Sequence, residues 1–136
     1  MALFNLKVVT PEKIFFDGET EQIILSTVCG EIGILARHES YVSILPPGPM
    51  KIKIGNEFKI AAISQGVVKV SKEKATIIAT SVEWHDEIDI ERAKEAERKA
   101  REILTRNLSD LEFRQAEFKL KRAINRISVS SKYNDD

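Results

Sequence analysis

The sequence predicts an α+β protein, in which an N-terminal all-β sandwich is followed by a C-terminal antiparallel hairpin of two helices. All six glycines and all four prolines precede residue 67, so the turn-forming residues are confined to the first part of the chain. From His85 onward 24 of 52 residues are charged, and this Gly- and Pro-free composition is typical of helix. We therefore expect a sandwich domain over residues 1–84 and a helical domain over residues 85–136.

Short β-rich runs separated by turn residues fill the first domain. Two alternating runs meet at Gly55-Asn56, which predicts a hairpin because both residues accept the positive φ of a tight turn. Two further runs flank residues 71–74 in the same way. The remaining predicted strands are Phe4–Val9, Lys13–Asp17, Glu21–Ser26 and Glu31–Leu35, with breaks at Pro11, Gly18 and Cys29-Gly30.

Two amphipathic stretches fill the second domain. The first is predicted as a helix over Ile90–Thr105, with Asp86 or Asp89 as its cap. Ser109 and Glu112 have the spacing of a capping box and predict the start of the second helix. The least polar faces are narrow and rich in alanine: Ala93, Ala96, Ala100, Ile103 and Leu104 on the first helix, and Phe113, Ala116, Leu120, Ala123 or Ile124, and Ile127 on the second. Such faces bury little area, so we expect the hairpin to open when a partner offers a better surface.

Composition and charge exclude several classes of function. The 21 basic and 21 acidic residues balance, whereas nucleic-acid binding needs an excess of basic charge. No apolar run approaches the roughly 18–20 residues that span a bilayer, so we expect no direct insertion into a membrane. One cysteine and two histidines form neither a disulfide nor a convincing zinc site. No nucleophile–base constellation is present either, so we expect no catalytic residue and no metal site.

Four segments, in this order, resemble the ε subunits of F-type ATP synthases. They are LKVVTPEKIFFDGE at Leu6–Glu19, GEIGILARH at Gly30–His38, ISQGVVKV at Ile63–Val70 and DEIDIERAKEAERKA at Asp86–Ala100. The resemblance implies a non-catalytic subunit of the central stalk of a proton-translocating enzyme, peripheral to the cell membrane on its cytoplasmic side. It also implies contacts with the γ subunit and the c-ring, with Glu31 and His38 at the rotor interface. The hairpin would inhibit ATP hydrolysis by extending into the catalytic head.

The resemblance also implies a regulatory ATP site and no required cofactor. Some bacterial members of the family bind ATP through Ile-Asp, two residues, then Arg-Ala, and that motif is present here. ATP bound across both helices would hold the hairpin folded, with guanidinium groups on its phosphates. The predicted ATP-binding residues are Glu83, Ile88, Asp89, Arg92, Ala93, Lys99, Arg122 and Arg126.

The sequence leaves three alternatives to this site and function open. Acidic and basic residues at such spacings are common on solvated helix faces, so the hairpin charges need not form a site. A free-standing ATP-sensing switch protein would carry the same hairpin without a rotor, and a small β-domain enzyme is a third alternative. Exposed apolar surface on the sandwich discriminates the first two functions, because a rotor subunit must offer a face to γ.

Overall fold

The computed structural model describes residues 2–134, and the side chains of residues 2–130. These residues fold as two compact units that divide between Trp84 and His85. In chain order the first unit contains β1 (Phe4–Val9), β2 (Ile14–Thr20), β3 (Gln22–Thr27), β4 (Gly30–Leu35), β5 (Tyr41–Leu45), β6 (Gly48–Ile54), β7 (Glu57–Ile63), β8 (Gly66–Val70), β9 (Lys74–Ala79) and β10 (Val82–Trp84).

The ten strands form two five-stranded sheets, as predicted for a sandwich. Sheet A has the order β2-β1-β9-β8-β5, and sheet B has the order β10-β7-β6-β3-β4. Every pair is antiparallel except β1 with β9. Side chains alternate between the two faces of each strand, and the inward ones form the core. Its fully buried large members are Leu6, Val8, Ile23, Leu25, Ile34, Leu45, Met50, Ile52, Val68 and Ile77.

Most predicted strands are confirmed, with two kinds of difference. The predicted β6–β7 turn forms with a positive φ of 65° at Gly55, whereas Asn56 does not have a positive φ. Gly18 does not break a strand, however: β2 continues through it to Thr20. Strands β5 and β10 were not predicted, because Tyr41–Leu45 follows a polar stretch and Val82–Trp84 is only three residues long.

The Ser64-Gln65-Gly66 turn is fixed by hydroxyl groups. The Ser64 hydroxyl lies 2.6 Å from that of Thr80 and accepts the Ser81 backbone N–H at 3.0 Å. Ser64 is almost fully buried, so these bonds satisfy a polar group that water does not reach. Gly66 follows where the backbone of β9 passes so closely that a side chain has no room. The turn between β7 and β8 is therefore fixed in two ways: by the hydrogen bonds of Ser64 and by the close approach of β9 to Gly66.

Aromatic packing joins the two edge strands β2 and β10 of the sandwich. The rings of Phe15 and Trp84 have centroids 4.5 Å apart and are tilted by 38°. The Lys59 ammonium lies 4.5 Å from the centroid of the Trp84 ring, a distance at which a cation is attracted to the indole face. These contacts anchor the last residue of the sandwich unit.

The second unit contains a 3₁₀ turn (His85–Glu87), α1 (Ile90–Leu104) and α2 (Asp110–Asn134). α2 packs against both α1 and the 3₁₀ turn that precedes α1, so the second helix runs back along the first. The buried residues of α1 are both alanines, Ala93 and Ala100, and α2 buries Ala116 and Ala123 of the predicted face; the members of each pair are seven positions apart. In an antiparallel hairpin these equal spacings allow a register in which Ala93 is level with Ala123 and Ala100 with Ala116.

One predicted member of the helical interface is wrong. Phe113 is 47% exposed, and between the two candidates Ala123 and Ile124 the structure buries the alanine. Phe113 lies in the first turn of α2, at the loop end of the hairpin, where solvent reaches the ring. The interface is therefore even narrower than the sequence indicates.

The predicted capping box at the start of α2 is confirmed. The Ser109 hydroxyl accepts the Glu112 backbone N–H at 3.2 Å, and the Glu112 carboxylate accepts the Ser109 backbone N–H at 3.2 Å. These hydrogen bonds hold the pKa of Glu112 below its usual value of 4.5. The carboxylate therefore stabilises the helix start only while it is ionised.

We expect acid to weaken this cap. Because the pKa of Glu112 is lowered on folding, its stabilising contribution is complete above the unfolded pKa and is lost as the pH falls through the folded pKa. Acid titration of helical content by circular dichroism should show a smaller loss in Glu112→Gln than in the parent chain. Equal losses in the two proteins would show that other carboxylates govern the acid response.

Candidate functional site

The predicted ATP-binding motif begins at the first turn of α1. Asp89 is the N-cap residue of that helix, and its Oδ1 accepts the Arg92 backbone N–H at 3.1 Å. Asp89 rather than Asp86 is therefore the cap, since Asp86 lies within the 3₁₀ turn. Ile88 and Ala93 are buried, whereas Asp89 and Arg92 are exposed. The motif thus has a structural role, and it leaves one carboxylate and one guanidinium accessible side by side.

The four predicted cations occupy both helices. Arg92 and Lys99 are exposed on α1, Arg122 is exposed on α2, and Arg126 is half-buried. In the alanine register Arg92 is level with Ile124. Arg122 and Arg126 lie two residues before and after Ile124, so they are about one helical turn from each other. The hairpin therefore brings three of the four predicted cationic groups to one height, and Lys99 lies two turns along α1.

Ion pairing separates three of these cations from four other basic residues of the hairpin, whereas Lys94, Arg114 and Lys119 resemble those three in forming no ion pair with a described side chain. Within residues 2–130, the side chains of Arg92, Lys99 and Arg122 form no ion pair. Other cations are held by glutamates on their own helix: Arg98 by Glu95 and Glu102, Arg101 by Glu97, Arg106 by Glu102, and Lys121 by Glu117. The side chains that lack an intrahelical partner are the ones with donors available for an anionic ligand.

Glu83, the remaining predicted ATP-binding residue, belongs to the other unit. It lies in the short strand β10, half-buried and opposite Ala62 of β7. The sequence brings it within five residues of Ile88, but it is held by the sheet ladder while the rest of the predicted site is held by the helices.

The predicted rotor-interface residues lie at the two ends of β4, which is an edge strand of sheet B. Glu31 is exposed near the start of the strand and is paired with Ser26 of β3. His38 follows its end, where the backbone N–H donates to the Leu35 carbonyl at 3.3 Å. The imidazole Nδ1 lies 2.7 Å from the Glu39 carbonyl oxygen, and the ring meets Tyr41 edge-on at 5.9 Å. The imidazole is therefore positioned by local contacts and does not approach Glu31.

A row of apolar side chains, all exposed except the half-buried Val9, crosses the outer face of sheet A. Each of the five strands contributes one residue, and each residue is the direct cross-strand partner of the next. We call this set the apolar row; in order across the sheet it consists of Ile14, Val9, Ile78, Val67 and Ile44. Ile14, Ile78 and Ile44 are each between 57% and 61% exposed. Val28, 62% exposed, continues the row at the β5 edge, where its N–H donates to the Ile44 carbonyl.

Sequence reasoning missed this row, because a row across strands becomes visible only when the register of all five strands is known. The neighbouring row on the same face is mainly polar and consists of Asp17, Lys7, Thr76, Lys69 and Val42. A contiguous apolar stripe beside charged residues is typical of a protein–protein contact surface.

The described part of the chain holds neither a metal-binding cluster nor a membrane-spanning helix. Within that part, no three His, Cys, Asp or Glu side chains gather in a geometry that could hold a metal ion. Neither of its helices combines the length and the low polarity that crossing a bilayer requires.

Comparison with known proteins places both units in one family. The family model described as "ATP synthase, Delta/Epsilon chain, beta-sandwich domain" matches residues 3–85, and the one described as "ATP synthase, Delta/Epsilon chain, long alpha-helix domain" matches residues 86–131. Fold and matches together define a two-domain subunit of an ATP synthase. The chain belongs to the ATP synthase delta/epsilon chain family.

Curated relatives of the same family match the chain along almost all of their length. The ATP synthase epsilon chain of Ruminococcus albus is 48% identical over 133 residues, which cover 97% of this chain and 99% of that protein. The ATP synthase epsilon chain of Ruminiclostridium cellulolyticum is 38% identical over 132 residues, covering 97% of this chain and 98% of the relative. The resemblance found in the sequence is therefore confirmed.

Solved structures share the fold. A chain of the Euglena gracilis mitochondrial ATP synthase superposes with a TM-score of 0.80 at 24% identity, covering 92% of this chain and 79% of that one. A chain from the central stalk and c-ring of the Tetrahymena thermophila mitochondrial ATP synthase gives a TM-score of 0.70 at 17% identity, with 93% and 96% covered. The sandwich followed by two helices is thus the architecture of these chains as well.

Proposed function

We propose that this chain is the ε subunit in the central stalk of a proton-translocating F-type ATP synthase. It joins the γ subunit to the c-ring at the cytoplasmic side of the cell membrane and has no catalytic residue of its own. The observation that carries this proposal is the match of both family domains, in order, over residues 3–85 and 86–131. The epsilon-chain relatives, matched over 99% and 98% of their length, also support it.

The sandwich offers a surface for each proposed rotor partner. We assign the apolar row to the γ subunit, because burying its exposed aliphatic side chains provides the apolar core that a stable interface needs. We assign the β4 edge to the c-ring. Since Glu31 and His38 lie at its two ends, a rotor contact that includes both must run along this edge strand.

Binding of the chain to a purified complex of γ and c-ring tests the subunit proposal. A subunit of the central stalk should co-elute with that complex in size-exclusion chromatography. A free-standing ATP-sensing switch, the alternative function, should elute alone whether or not ATP is present. The exposed apolar row favours the first outcome, because a protein without a permanent partner gains nothing from it.

The helical unit is proposed to inhibit ATP hydrolysis by extending into the catalytic head, with ATP holding it folded. Its interface is built from alanines, which bury little area, so the folded and extended forms can lie close in free energy. An ATP molecule would draw on the accessible Asp89 carboxylate for the adenine amine and on Arg92, Arg122 and Arg126 for the phosphates. The shift from the extended to the folded form is set by the ratio of the affinities of ATP for the two forms.

Calorimetric titration of ATP into the chain tests the ligand. We expect saturable binding that weakens about tenfold in Arg92→Ala, the usual cost of losing hydrogen bonds from a charged group. Arg101→Ala is the matched control, because that guanidinium lies on the same helix but is already paired with Glu97 at 3.2 Å. Equal loss in both variants would indicate non-specific attraction. Absence of heat at millimolar ATP would remove the ligand and leave the subunit proposal standing.

A further inference from the structure

An unequal pairing of two strands leaves part of sheet B open at its edge. β10 ends at Trp84, opposite Ala61, whereas β7 continues for four more residues to Glu57. Among residues 2–134, no strand pairs with Glu57–Ile60 on the side that β10 would occupy. Along an antiparallel strand, the backbone N–H and C=O groups of successive residues point alternately to the two neighbouring strands. Two of the four residues Glu57–Ile60 therefore direct these groups towards the side on which no described strand is paired.

The chain that follows β10 has the length needed to fill this gap. Residues 85–88 are four residues that connect Trp84 directly to the Asp89 cap of α1, and three of them form a single 3₁₀ turn. A single 3₁₀ turn has poor hydrogen-bond geometry of its own, so its packing against α2 helps to hold it while the hairpin is folded. α1 does not depend on it, because Asp89 caps the helix independently.

We propose that residues 85–88 are a two-state hinge, which forms the 3₁₀ turn when the hairpin is folded and extends β10 along Glu57–Ile60 when the hairpin is released. This inference rests on the proposed movement of the hairpin. Continuing the observed register, Trp84 with Ala61, places His85 opposite Ile60, Asp86 opposite Lys59, Glu87 opposite Phe58 and Ile88 opposite Glu57. The hinge then has two discrete hydrogen-bonded forms rather than a continuous range of bends.

Charge supports this register. Paired residues in a sheet point to the same face, so the Asp86 carboxylate would meet the Lys59 ammonium, which in the present structure lies 4.5 Å from the centroid of the Trp84 ring. Asp86 is exposed, and Lys59 is only half-buried, so forming the pair would require no fully buried charge to move. Ile88 would move from the helical unit to the inner-face side of the sandwich edge. Charged residues on an edge strand also discourage pairing with other chains.

A charge-exchange cycle in the reconstituted ATP synthase tests the hinge. The measured quantity is the inhibition of ATP hydrolysis by the added chain. Asp86→Lys places two cations opposite each other in the released form and so destabilises that form. We expect the ratio of inhibited to active enzyme to fall about threefold. The double variant with Lys59→Asp as well should recover the parent value, since the attractive pair is restored in reverse.

Glu87→Lys is the matched control, because its side chain would point to the opposite face and should show no coupling to Lys59→Asp. Absence of coupling between positions 59 and 86 in an otherwise inhibiting chain would overturn the hinge while leaving the proposed function in place. A parent chain that binds the complex without inhibiting hydrolysis would instead contradict the proposed function. If Lys59→Asp impairs folding, the cysteine pair Lys59→Cys with Asp86→Cys, in a Cys29→Ser background, replaces the cycle. In a chain that calorimetry shows to bind ATP, its disulfide should form more slowly with ATP present, and equal rates in such a chain would contradict the hinge.

Discussion

Gly66→Ala is expected to destabilise the sandwich by about 3 kcal/mol, the upper end for overpacking a rigid core. A Cβ built on Gly66 would lie 2.9 Å from the Ala79 Cα and closer still to the Ile78 carbonyl oxygen. Both are backbone atoms of β9, which is held between β1 and β8 in sheet A, so neither can move aside cheaply. Urea denaturation of the purified variant measures the loss of unfolding free energy.

Gly33→Ala is the matched control for this substitution. Gly33 also lies in a strand, but its added Cβ would meet only the amide nitrogen of Gln22 at 3.4 Å, at the end of a flexible side chain. We expect its stability to stay within about 0.5 kcal/mol of the parent. A comparable loss in both variants would mean that glycine-to-alanine changes in these strands act through something other than the contact with β9.

Ile78→Asp is expected to weaken binding to the γ subunit about a hundredfold, because it places an unpaired carboxylate at the centre of the apolar row. The side chain is 59% exposed, so the change should leave the folded chain intact. Surface plasmon resonance with immobilised γ measures the affinity, and circular dichroism confirms the fold.

Thr76→Asp provides the comparison on the same strand and the same face. It adds the same charge two residues away, between Lys7 and Lys69 of the neighbouring polar row. We expect at most a severalfold change in γ binding. If the two variants weaken binding equally, net charge rather than the apolar row governs the contact. If neither does, γ binds another face of the sandwich.

Local patterns in the sequence were sufficient for the elements with strong local signals. Gly55-Asn56 formed the predicted turn, Ser109 and Glu112 formed the predicted capping box, and Asp89 caps α1. Each of these features is decided by residues within four positions of one another. Gly18 was misleading because a glycine marks either a turn or a permissive strand position, and the pairing with Leu6 in β1 decides between them.

The sequence alone determined the class of this protein: the division between a glycine-rich β part and a charged helical part, the four segments that identify the ε family, and the alanine face of the hairpin. Only the tertiary structure decided which exposed residues stand together. The apolar row joins residues from five strands that are as far apart in sequence as Val9 and Ile78, and the open half of β7 follows from the lengths of two paired strands. Strand register is a long-range property, set by how the whole core packs, so no local pattern encodes it.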